Sequence, residues 1–195
     1  MTFEEVTEFL RIGATTGGVT PEGILTLFMS AEERRYIWDC VSAHAGLPAI
    51  EIGSAYGGPT ILMACAGAVP VWSIDNWSCG KRQECEANIA CAGLTEQVRM
   101  LVGDSGAYAS HFEDSSLGVV LVDGCHSGEK PYEDIVGYAP KVKVGGFLLV
   151  DDTGNKHWDV ERALDRWAAT GWGVVEDRVC RSNEGDVKLR GFVRR

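Results

Sequence analysis

Residues 49–60 read "AIEIGSAYGGPT": a short β-branched run, a glycine-rich turn, and a proline suited to the first turn of a helix. A strand passing directly into a helix is half of a βαβ unit, and the same alternation recurs along most of the chain. Strands are expected at 49–52, 71–75, 98–102, 119–123, 147–151, 173–179 and 187–193, and helices at 31–44, 59–67, 82–91, 130–138 and 158–170. Ser30, with Glu33 three residues on, marks the start of the first of these helices as a capping box. The last two strands follow one another without room for a crossover helix, and "RSNEGD" at 181–186 reads as a turn, so they form an antiparallel hairpin. The expected fold is α/β: a doubly wound, mostly parallel seven-stranded sheet closed by that C-terminal hairpin.

A chain of 195 residues with 45% hydrophobic content fits one domain, 1–195, with a sizeable core. Residues 1–48 stand outside the alternation and form a helical lead-in, whose "GATTGGVTPEG" at 13–23 reads as a flexible lid; residues 49–195 are the binding core. The net charge of −10, from 18 basic and 28 acidic residues, provides no stripe for a phosphate backbone, so nucleic acid is excluded as a principal partner. The first residues are acidic where a secretory leader needs positive charge, and no apolar run approaches the roughly 18 residues of a membrane span. A soluble, cytoplasmic protein is expected. Seven cysteines without a regular frame argue for free thiols and against a disulfide scaffold or zinc site.

In an open parallel sheet, ligands bind beyond the carboxyl ends of the strands. Gly53, Gly57 and Gly58 allow close backbone approach after the first strand, although their GxxxGG spacing is not the GxGxxG of a nicotinamide site. The second strand ends at Asp75, 75 − 53 = 22 residues after the first glycine, where a carboxylate can accept from a ribose diol. Trp77 beside it covers either an adenine face or a helix end. Asp104 and Ser105 follow the third strand, so three successive strand ends carry polar, ligand-binding chemistry.

This order of motifs over residues 49–195 resembles the class I S-adenosylmethionine-dependent methyltransferases, whose fold is Rossmann-like. The resemblance implies that Gly53 and its neighbours Ser54, Tyr56 and Gly57 lie against the methionine part of S-adenosylmethionine. It implies further that Glu51 organises the amino-acid end, Asp75 binds the ribose, and Asp104 and Ser105 flank the adenine.

The fourth strand delivers Asp123 to the same rim and the fifth delivers Asp151 and Asp152. Adjacent strand ends lie about 5 Å apart, so three carboxylates there repel one another unless a cation offsets them, and an all-oxygen set suits magnesium or a similar hard ion. The alternative is that Asp151 or Asp152 caps the following segment. The separation 151 − 123 = 28, with the acid doubled, resembles the magnesium-dependent small-molecule O-methyltransferases of the catechol and macrolide-sugar type. In the catechol type the residue three after the first metal aspartate is a lysine base. Here it is His126, as in some macrolide-sugar enzymes, and "GGVTPEG" is similar to their lead-in.

The chemistry follows from the residues as well. A bound cation lowers the pKa of an acceptor hydroxyl, and a neutral imidazole then takes its proton. Asp123 and His126 are therefore the candidate catalytic pair, unless His126 merely caps the helix at 130–138. His157, Trp158, Tyr56 and Tyr132 are further candidates to line the site. The expectation is methyl transfer from S-adenosylmethionine to a hydroxyl of a small molecule, metal-assisted, with a pocket that is shallow or walled by a second subunit of a homodimer. The rival readings are a metal-independent methyltransferase and a non-catalytic protein that keeps the nucleoside pocket.

Overall fold

The computed structural model describes residues 1–12, 29–171, 174–181 and 187–195. Two helices, α1 (Phe3–Ile12) and α2 (Ala31–Ser42), precede β1 (Ala49–Ile52). Then follow α3 (Gly58–Cys65), β2 (Val71–Asp75), α4 (Arg82–Cys91), β3 (Val98–Val102), the short α5 (Ser105–Tyr108) and β4 (Leu117–Val122). The chain ends with α6 (Lys130–Tyr138), β5 (Val142–Val150), α7 (Val160–Ala168), β6 (Val174–Arg181) and β7 (Val187–Arg194). All seven strands form one sheet in the order β3-β2-β1-β4-β5-β7-β6, parallel from β1 to β5, with β7 antiparallel to both neighbours. Strand order reverses between β1 and β4, which places the crevice of an open α/β sheet at their carboxyl ends.

The period of two along each strand divides the interior into two cores. Val119 and Leu121 of β4 join the cluster that includes α1 to α4, whereas Val120 and Val122 join the cluster that includes α6 and α7. Ile50 and Ile52 of β1 face the second cluster, so Glu51 between them is buried on the α3 side. Helices on both faces explain why β1 and β4 are buried at every position.

The helical lead-in is part of the core: Val6 and Leu10, one turn apart on α1, are fully buried. Thr2 and Glu5 hold the start of α1 reciprocally, Glu5 N donating to Thr2 Oγ1 (3.2 Å) and Thr2 N to Glu5 Oε2 (2.8 Å). The expected capping box at Ser30 and Glu33 is present. The lid expected at 13–23 lies outside the described residues, as do position 173 of the sixth strand and 182–186 of the closing turn.

Two elements differ from expectation. β5 begins at Val142, five residues before 147, because the chain passes through Gly145 and Gly146 with a shifted register instead of stopping: Leu117 pairs with Val142 but Val119 with Phe147. Helix α5 was not expected; Asp104 caps it by accepting from Gly106 N at 2.8 Å.

The turn after β1 is held by both neighbouring strands. Gly53 N donates to Ile74 O (2.9 Å) and Asp123 N to Ile52 O (2.9 Å). Gly53 has φ +89°, and a Cβ there would fall 2.0 Å from the Asp123 carbonyl oxygen. Gly46 has a similar φ of +85° but open space around it. Gly53→Ala should therefore lower the unfolding free energy by at least about 2 kcal/mol, and Gly46→Ala by about 1 kcal/mol. Equal shifts of the two in urea-denaturation midpoints would show that the contact with β4 is unimportant.

Candidate active site

The carboxyl ends of β1 to β4 open onto a cleft of about 460 Å³, and a second, smaller cavity of about 60 Å³ lies behind the glycine turn. Gly53, Ala55 and Asp123 line both, so the two are neighbouring compartments.

Asp75 lines the cleft while bracing the turn: its Oδ2 accepts from Ala55 N (2.9 Å) and its Oδ1 from Trp77 N (2.6 Å). Trp77 does not stack over the cleft. Its indole is 6% exposed in the core and donates to Ala55 O (3.1 Å), so of the two readings of this residue the geometry takes the structural one. The other end of the cleft holds Asp104, Ser105, Lys130 and Asp134. Lys130 Nζ bridges Asp104 (2.7 Å) and Asp134 (3.3 Å), and Ser105 Oγ donates to Asp134. The lysine holds Asp104 below the usual carboxylate range, with help from Gly106 N–H. Asp134 is raised because burial outweighs Ser105 and Lys130. Lys130 and Asp134 were not foreseen, although their spacing of four on one helix face was legible.

The small cavity is lined by Glu51, Ser54, Tyr56, Arg34, Leu10 and Met29 among others. Gly57 does not line it; at φ +84° it caps α3 close to Cys85. Glu51 is fully buried, accepts from Thr60 Oγ1 through Oε2, and leaves Oε1 without a hydrogen bond. Burial pushes its carboxyl up to about 8, Thr60 opposing and Asp75 adding to the rise. Arg34, on α2, donates to Met29 O at 2.5 Å, and burial lowers its pKa.

At the lip of the cleft, Asp123, His126 and Asp152 each bring a donor atom within 4.8 Å of the others. His126 Nε2 lies 3.0 Å from Asp152 Oδ2, an ion-pair distance, and has no hydrogen-bond partner. The imidazole stacks on Trp158 at 4.1 Å, whereas His157 is exposed and Tyr132 packs under Arg166. Of the acids expected from sequence to hold a metal, Asp123 and Asp152 lie in this cluster, whereas Asp151 stands outside it, its Oδ1 accepting from Asp152 N (2.7 Å). Burial first, and then Asp152 and Glu33, raise Asp151 well above the usual range. Burial likewise raises Asp123, with Asp151 and Asp152 adding repulsion. Burial works to raise Asp152 too, but His126 and Lys188 outweigh it and hold it low. Lys188, whose Nζ is 2.7 Å from Asp152 Oδ1, was missed; its place in the alternating "KLRGF" of the hairpin was the available signal.

Residues 50–153 match the family described as "Methyltransferase domain". The chain belongs to this methyltransferase family. Among curated proteins no relative matches. Solved structures share the fold at low identity. Cofactor-bound Rv0187 from MTB is 15% identical with a TM-score of 0.74, over 97% of this chain and 89% of that one. TomG, an O-methyltransferase from Streptomyces achromogenes involved in tomaymycin synthesis and solved with SAM, is 16% identical with a TM-score of 0.71, over 97% and 89%. An O-methyltransferase from Bacillus cereus, solved with SAH, is 14% identical with a TM-score of 0.70, over 98% and 90%. The sheet order and closing hairpin are thus those of the Rossmann-like methyltransferase fold. Among the described residues no helix of this methyltransferase is long and apolar enough to cross a membrane.

Glu51 makes the stability of this methyltransferase depend on pH. Its folded pKa near 8 exceeds the ordinary 4.5, so the folded state holds this proton more tightly. The contribution is complete below about pH 4.5 and is lost as pH rises through 8. Between these values Glu51→Gln should unfold with a shallower dependence on pH than the parent, by up to about 1.4 kcal/mol per unit. Parallel curves in urea titrations at pH 5, 6, 7 and 8 would locate the uptake elsewhere.

Proposed function

We propose that this methyltransferase moves a methyl group from S-adenosylmethionine to a hydroxyl of a small molecule, assisted by a magnesium-like cation. The observation that carries the reading is the convergence of Asp123, His126 and Asp152 within 4.8 Å of one another, beside the glycine turn. The sulfonium donor supplies an electrophilic methyl, and the cation, when bound, lowers the pKa of the acceptor hydroxyl.

The residues divide the work. Asp75, at the cleft wall, suits a ribose diol, and Asp104 with Ser105 suits the base beyond it. The small cavity carries both Glu51 and Arg34 on its lining, suited to the ammonium and the carboxylate of an amino acid; Glu51, which by itself keeps its proton up to about pH 8, gives it up beside a bound ammonium. Asp123 and Asp152 offer carboxylate oxygens to the cation. The donor set fits such an ion: the acids are crowded and partly buried, and the Nε2 beside them lacks a hydrogen bond. An imidazole gives its lone pair either to an ion or to a proton, and an oxygen-preferring cation leaves it for the proton. His126 therefore takes the hydroxyl proton, while Asp152 stabilises the imidazolium and Trp158 fixes the ring plane.

One observation favours a second, metal-independent reading: the Lys188 ammonium already contacts Asp152 at 2.7 Å. Chelation decides between the two. On the first reading EDTA removes turnover and Mg²⁺ restores it; undiminished turnover in EDTA would leave the second. His126→Ala should lower kcat by about 10²-fold or more with cofactor affinity nearly unchanged. Asp75→Ala should instead weaken cofactor binding measured by calorimetry. Equal losses of affinity in the two variants would refute this division.

A further inference from the structure

Asp152 is approached from both sides. Lys188 Nζ lies 2.7 Å from Oδ1 and His126 Nε2 lies 3.0 Å from Oδ2. The lysine is rooted firmly, because Thr153 N (3.0 Å) and Thr153 Oγ1 (3.3 Å) both donate to the Lys188 carbonyl. That pair of bonds ties β7 to the residue next to Asp152, so the ammonium meets the carboxylate from a fixed point. The contact is sheltered, with the lysine side chain 29% exposed and the aspartate 11%. Lys188 also lies near enough to Asp123 and Asp151 to oppose the repulsion among the acids.

We propose that Lys188 is the resident counter-ion of the acid cluster: it holds Asp152 in place while no divalent cation is bound, and it competes with that cation for Asp152. The inference rests on the metal-assisted reading above. An ammonium beside a divalent ion is a like charge, and removing it from a sheltered site tightens the ion's binding. The same ammonium holds the Asp152 carboxylate in position without metal, so the metal-free protein keeps an ordered site. Cation affinity is thereby held down, and the ion exchanges readily.

The test uses Mn²⁺ as the probe on the full chain, by titration calorimetry, together with thermal unfolding in EDTA. Lys188→Met should bind Mn²⁺ at least about tenfold more tightly than the parent. It should also melt lower in EDTA and gain more from added Mn²⁺. Lys188→Arg, which keeps the charge, should behave as the parent does. Should Lys188→Met fail to fold, Lys188→Gln keeps a donor for Oδ1 without the charge and makes the same comparison. If the parent binds one Mn²⁺ that Asp123→Asn abolishes, yet the neutral variant binds it equally or more weakly, the counter-ion role is overturned and the metal-assisted reading stands. No Mn²⁺ binding by parent or variants overturns the metal-assisted reading and this inference with it.

Discussion

The ends of β1 and β4 touch through their backbones, and the contact is permitted only because residue 53 has no Cβ: the Asp123 carbonyl occupies the space a side chain would need. From that contact the rest of the rim is positioned. It brings Asp123 to the wall shared by the cleft and the small cavity, so one carboxylate faces both compartments. From the opposite side Asp75 binds the N–H groups of Ala55 and Trp77, and the buried indole of Trp77 returns a bond to Ala55. The turn is thus clamped by β2 and β4 together, and a site whose function is alignment gains from being built on rigid strand ends.

The acids around this turn fall into two groups. Asp104 and Asp134 share Lys130, and Asp152 has Lys188. Asp123, Asp151 and Glu51 are buried or partly buried, and among the described residues no basic side chain pairs with them at salt-bridge distance. In a medium of low polarity an unpaired carboxylate takes up a proton or a cation, and all three are accordingly raised.

Strand–helix alternation was legible in the sequence because its signals are local: β-branched runs, glycine turns and caps declare themselves within a few residues. The strand ends that carry Asp75, Asp104 and Asp123 could be read for the same reason. Contacts between distant segments left no such trace. Lys188 reaches Asp152 from the last strand, and Arg34 reaches the cavity from α2, through tertiary packing alone. Trp77 was ambiguous because an aromatic side chain beside a cleft and one beneath it have the same local pattern; the bond to Ala55 sends it inward. β5 was drawn too short because its paired glycines look like punctuation when isolated, yet neighbouring strands carry the chain through them.

The doubled acid after β5 shows where local reading stops. Leu149 points to the core that includes α1 to α4, and Leu148 and Val150 to the other. Continued alternation turns Asp151 the same way as Leu149, toward α2, where Glu33 raises its pKa further. Asp152 would then face the opposite layer, but its backbone adopts φ +58°, a left-handed conformation that aspartate tolerates better than most residues. That turn brings its carboxylate between His126 and Lys188, and the N–H of Asp152 bonds to Asp151 Oδ1, holding the first acid aside. Two identical neighbours thus receive different tasks from one backbone angle. Such an angle costs about 1–2 kcal/mol in a residue other than glycine, and it falls at the carboxylate that lies 3.0 Å from the His126 imidazole.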